Sequence, residues 1–233
     1  PSDFGSLGAR PSHPDLLDWL ASELVDGGWS LKRFHRLVMT STVYRQSSLR
    51  DSQRDRLDGD GSLLSRFPVR RIDAESLRDA ILQVAGRLDS KPFGSAVEVM
   101  EDAVSLVGPL GDSPRRSVYI QVRRSHPTSF LTTFDAPVMA VNCELRVNAT
   151  SAPQALMMMN GSFVLKHADL MAARLLADAP GEEPAAVDRR IAAAWRATYL
   201  RPPSAEETTA AREFLAAQRA VLDRDPAAKA RDR

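Results

Sequence analysis

The chain has 233 residues, 43% hydrophobic and 26% charged, which allows one substantial core and fits an ordinary globular protein. A formal net charge of +1 excludes any global electrostatic case for nucleic acid or an anionic membrane. One cysteine excludes an internal disulfide and a thiolate-rich metal cage, and no apolar run approaches the ~20 residues that span a bilayer.

In chain order, a short polar lead-in is followed by Ser12-His13-Pro14-Asp15, which reads as a helix start with Ser12 as cap. Leu16, Leu20 and Leu24 then recur every four residues, and Gly27-Gly28 stops the helix. Ser30 caps a second helix with Leu31, Phe34, Leu37 and Val38 on one face, so the two should pair as a helical hairpin. Residues 46–62 are polar and lack apolar periodicity, which predicts a mobile surface loop.

Asp73 opens a third helix reaching Arg87, with Leu77, Ile81, Val84 and Leu88 on its buried side. Residues 97–100 and 117–122 carry β-branched residues between turn formers and read as two strands of one antiparallel pair. Ser151 then caps a helix that Gly161 interrupts, and a longer helix follows to about Leu176. Residues 180–184 are a linker, residues 187–199 a further helix, and Ser204-Ala205-Glu206-Glu207 a capping box that launches the last helix to about Leu222.

The expected fold is therefore mainly α: a multi-helix domain of six or seven helices with a small antiparallel β element inserted after the third. The expected division is a main domain over 1–178 and a helical hairpin over 185–222 packed on it.

Six segments, in order, carry a family resemblance. They are ARPSHPDLLDWLASELVDGGWSLKRFHRLVMTSTVYRQSS (9–48), SLLSRFPVRRIDAESLRDAIL (62–82), RRSVYIQV (115–122), TFDAP (133–137), APQALMMMNGSFV (152–164) and LRPPSAEE (200–207). Together they resemble the planctomycete secreted domain family, a domain of unknown function found towards the C-terminus of large planctomycete proteins. Many of those proteins hold a cytochrome-c-like domain nearer the N-terminus. The resemblance implies an exported protein, periplasmic or at the cell surface, with neighbouring domains of the same polypeptide as partners. It also implies haem only in such a neighbour, because Cys143 alone cannot form two thioether links. The start at Pro1 rather than Met, and the absence of the family's further C-terminal helix, lead us to expect a piece of a larger protein.

The window 129–163 mixes Asp135, Asn142, Cys143, Glu144, Arg146 and Gln154 with core-forming residues. Asp135 and Glu144 could serve as an acid–base pair of a carbohydrate-active, glycoside-processing domain if both faced one cleft. The structural alternative has Asp135 closing the turn before Pro137 and pairing with Arg115, Arg116 or Arg146. The clusters Arg70-Arg71, Arg115-Arg116 and Arg123-Arg124 suit phosphate, sulfate or uronate groups, or internal ion pairs. Arg115, Arg116, Asn142, Arg146 and Gln154 are thus the candidate binding residues, and polysaccharide a candidate partner. His13, His35, His126 and His167 show no ligand spacing, with His35 and His167 expected on polar helix faces, so no metal site is expected. No P-loop, dinucleotide fingerprint or Ser-His-Asp ordering is present.

The first functional reading is a non-catalytic binding or scaffolding module of a large exported protein. Two others stand beside it: the glycoside-processing domain, and an electron-transfer accessory acting through a haem-bearing neighbour.

Overall fold

The computed structural model describes residues 6–137, 146 and 149–224. It separates into two compact units, one running through Ile72 and taking in Arg146, the other beginning at Asp73.

The first unit holds α1 (Pro14–Asp26), α2 (Leu31–Thr40) and α3 (Ser52–Leu57). His13, not Ser12, is the residue before α1, and Ser12 bonds to the His13 ring at 3.0 Å instead. Gly27 and Gly28 end α1, Gly28 with φ +66°, and Ser30 accepts the Arg33 N–H at the head of α2. Arg33 ties the hairpin to Glu23 at 3.3 Å. None of these three helices buries a residue; Trp19 is 49% exposed and Leu31 62%.

The loop expected over residues 46–62 is instead built around α3. Asp51 caps it by accepting the N–H groups of Gln53 and Arg54, and Asp55 pairs with Arg50 and Arg66. Asp58 is fully buried, and its two carboxylate oxygens take the N–H groups of Leu63 and Ser65, each at 2.9 Å. Those N–H groups, foremost that of Leu63, hold the Asp58 carboxyl below its ordinary pKa. Aspartates bonded to nearby backbone order a segment without any apolar repeat, so periodicity could not reveal it.

The second unit begins with α4 (Ala74–Val84), which is shorter than expected. Gly86, at φ +70°, lets the Arg87 N–H turn back to the Leu82 carbonyl at 2.8 Å, a left-handed stop that a β-carbon would strain. The β element is β1 (Val99–Glu101) paired antiparallel with β2 (Val107–Pro109), in the register Val99↔Pro109, Met100↔Gly108, Glu101↔Val107. Asp102 shapes the connection by accepting the N–H groups of Val104 and Leu106.

The second strand expected over 117–122 is absent from that pair. Residues Ser117–Tyr119 form a 3-10 turn, and Ile120 makes a single parallel bridge to Val97. Asp79 draws both the N–H and the hydroxyl of Ser117 to one oxygen at 2.7 Å, which bends this β-prone run. The true second strand was disguised by Gly108 and Pro109, which a two-stranded edge tolerates.

The core lies between α4, α5 (Ser129–Thr133), α6 (Ala152–Asn160) and α7 (Ser162–Asp178). Ala74, Phe130 and Phe134 form its buried centre, with Leu77, Ile81, Met157, Phe163 and Val164 packed around them. Phe130 sits 4.8 Å from Phe134 and 5.3 Å from Phe163, ring to ring.

Two further helices complete the unit, α8 (Pro184–Tyr199) on α7 and α9 (Ala205–Arg224) on α8. The expected capping box is present: Glu207 N–H donates to the Ser204 hydroxyl at 3.1 Å, and Ser204 N–H returns to the Glu207 carboxylate at 2.8 Å. No described helix is long and apolar enough to cross a membrane. The mainly α architecture with one small antiparallel pair follows the sequence reading, with nine α-helices among the described residues in place of six or seven.

Candidate functional site

Asp135 stands at the end of α5 in the left-handed region, φ +64°, a conformation Asp tolerates better than most residues. There its carboxylate reaches forward in the chain. It accepts the Ala149 N–H at 2.8 Å and the Gln154 side-chain amide at 3.1 Å. Gln154 is buried on α6, and its oxygen also accepts the Ser151 N–H at the helix start. Asp135 and Gln154 thus fasten the end of α5 to the beginning of α6.

Arg115 and Arg116, two of the expected partners of Asp135, are engaged elsewhere. The Arg115 guanidinium donates to the carbonyls of Lys91, Phe93 and Ser95 and lies 4.0 Å over the Tyr119 ring. Arg116 pairs with Asp79 at 3.4 Å. Arg115 there fixes loop backbone, and Arg116 meets a helix carboxylate through Nε. Arg146, the third, is half-buried in the first unit. Asn142, Cys143 and Glu144 lie outside the described residues.

A second polar centre went unrecognised in the sequence. Arg78 is buried on the core-facing stripe of α4, between Ala74 and Leu82. It donates to the carbonyls of Arg115 at 2.9 Å and Ser113 at 2.8 Å, and to the Ser117 hydroxyl at 3.4 Å. Its guanidinium carbon lies 5.5 Å over the Phe163 ring, and Asp79 is 3.9 Å away. The available signal was positional: an arginine at i+4 between two apolar residues of one helix face.

Two cavities border these centres. One of about 240 Å³ is mostly apolar, lined by Met100, Val107, Phe130, Met157 and Phe163 with Arg78 and Lys166. The other, of about 390 Å³, is lined by Asp79, Arg116, Gln121, Arg123, Thr132 and Pro137 among others. The latter brings Arg116 and Arg123, one from each of two arginine pairs, beside Ala136 and Pro137 of the TFDAP segment.

His167 lies buried on α7 rather than on a polar face, its Nδ1 donating to the Phe163 carbonyl at 2.7 Å. The ring also packs 4.4 Å from Phe163, so both faces of its role are structural. Among the described residues no group of three or more His, Cys, Asp or Glu side chains is placed to hold a metal.

Residues 1–215 match the model of the family described as PSD1, protein of unknown function (DUF1553). The chain belongs to this family. No curated protein and no solved structure matches it. Membership therefore brings a domain of unknown function and no residue roles, and the side chains themselves must carry any functional reading.

Proposed function

We propose that this PSD1 domain is a non-catalytic binding or scaffolding module within a larger exported, cytochrome-c-associated protein. The observation that carries the proposal is the use made of its carboxylates. Asp135 and Asp79 both point at the chain's own donors, Ala149 and Gln154 in one case and Ser117 and Arg116 in the other. A general acid or base must instead direct its oxygen at a substrate proton.

The binding role is supported by helices that bury no residue. Neither α1, α2 nor α9 buries a residue, and α9 presents Phe214 and Val221 with 61% and 59% exposure. Apolar surface of this kind suits neighbouring parts of the same polypeptide as partners. Export and the cytochrome-c-like neighbour rest on the resemblance to planctomycete secreted domains. A c-type haem would belong to that neighbour, since a single cysteine cannot make its paired thioether links.

Asp135→Asn tests the reading. It keeps the shape and an acceptor oxygen but removes the charge, so the expected outcome is a loss of about 1 kcal/mol in urea denaturation. No hydrolysis of a panel of nitrophenyl glycosides and polysaccharides is expected from either form. Turnover by the parent that vanishes in Asp135→Asn, with an unchanged melting curve, would establish the glycoside-processing reading with Glu144 instead.

A further inference from the structure

We infer that the 390 Å³ cavity between α4 and the 116–123 segment is a binding site for an oxyanion carried on a hydroxylated ring, the chemistry of a uronate or sulfated sugar unit. This deepens the binding-module reading and rests on it. Two guanidinium groups line the cavity, and each is oriented through Nε alone. Arg116 Nε donates to Asp79 at 3.4 Å, and Arg123 Nε donates to the Gln121 amide oxygen at 3.0 Å. Among the described residues these are the only hydrogen bonds either side chain makes, which leaves four terminal N–H groups on each for a ligand. A guanidinium so fixed presents its remaining edge as a fork to a carboxylate or sulfate.

Directed donors, not an excess of charge, favour an anion. Asp79 and Glu75 line the same cavity, but Asp79 already accepts two hydrogen bonds from Ser117 and has buried Arg78 behind it at 3.9 Å. The lining thus holds two guanidinium groups and two carboxylates, with Arg78 outside it, so the free terminal N–H groups of Arg116 and Arg123 make the case for an anion. The remaining walls suit a sugar: Val118, Val122, Leu131 and Ala136 offer apolar contact to ring C–H groups, while Gln121 and Thr132 offer hydroxyl partners. The volume falls at the lower end of the range for small-ligand sites, roughly 300–1,000 Å³.

The probes are polygalacturonate, dextran sulfate, neutral dextran and sodium sulfate, titrated calorimetrically into the full chain at low and moderate salt. Binding to one or both charged polymers and none to neutral dextran is expected. Polygalacturonate alone identifies a carboxylate ligand, dextran sulfate alone a sulfate ester, and heat from sodium sulfate alone would reduce the site to an ion site and overturn the sugar assignment. Arg123→Gln should weaken binding about tenfold, the loss of roughly one charge-assisted hydrogen bond. Because Arg123 is exposed, its replacement should leave the melting temperature in place; Arg116→Lys, which keeps the pair with Asp79 but loses the fork, supplies a second variant.

Arg124, exposed and outside the cavity lining, is the control. Equal weakening by Arg124→Gln would show diffuse polyelectrolyte attraction and overturn the site, as would unaltered binding by Arg123→Gln. Absence of binding with Asp135 still structural would sink this inference alone, whereas Asp135-dependent hydrolysis would sink the non-catalytic reading whatever the cavity binds.

Discussion

Two clusters in this protein use the same three functional groups, a guanidinium, a carboxylate and a hydroxyl, to opposite ends. Arg78, Asp79 and Ser117 form a buried network in which Ser117 lies 39 and 38 positions from its partners. Arg201, Ser204 and Glu207 form an exposed one within seven residues: Arg201 grips the Glu207 carboxylate at 2.7 and 2.6 Å while Ser204 and Glu207 cap α9. The first fixes which segments meet; the second fixes where one helix begins. Distance along the chain and access to water, not residue chemistry, separate the two roles.

Breaking the buried cluster should have the largest effect. Arg78→Ala leaves the Ser113 and Arg115 carbonyls without their donor and removes a charge neighbour of Asp79. A loss of about 3–5 kcal/mol in urea denaturation is expected. A loss under 1 kcal/mol would show that water replaces the guanidinium and that the network is not what holds residues 113–117 to α4.

Ser117→Ala is the finer cut. It removes the hydroxyl between Arg78 and Asp79 but spares the Ser117 N–H bond to Asp79, so about 1–3 kcal/mol should be lost. Combining it with Arg78→Ala in a double-mutant cycle should give a strongly non-additive result, because both changes act on one network.

The exposed cluster should respond least, and through pH. The Arg201 fork, followed by the Ser204 N–H, lowers the Glu207 pKa from its ordinary 4.5 to about 2. A depressed folded-state carboxyl stabilises fully above the unfolded value and loses that contribution as pH falls through about 2. The Arg201–Glu207 contact should therefore persist at pH 4 and fail near pH 2, readable from the Glu207 side-chain carboxyl resonance. Glu207→Gln should flatten that titration and reduce the helicity of α9 at neutral pH. A Glu207 midpoint near 4.5 would mean that water, not Arg201, is its main partner.

The same contrast explains what could be read from the sequence. Ser204 with Glu207, Ser30 before Leu31, and Gly27-Gly28 are local signals, and each marks the expected boundary. Asp58 is local too, but it acts through Leu63 and Ser65 without periodicity, so an ordered loop read as a mobile one. The Asp135 window was recognised as unusual, yet its carboxylate meets Ala149 and Gln154 rather than Arg115 or Arg116. Chain order does not reveal which of several arginines a carboxylate will meet, nor that Arg115 is spent on three carbonyls of a loop 20 residues upstream.

By itself the sequence determined the helical class, most helix starts and stops, and the family signature running through LRPPSAEE. These rest on interactions spanning a turn or two of backbone. Only the tertiary structure decided that Arg78 is buried, that residues Ser117–Tyr119 turn instead of pairing as a strand, and that Arg116 and Arg123 share a cavity. Each depends on which distant groups displace water around a charge, and that competition is settled only when the chain packs.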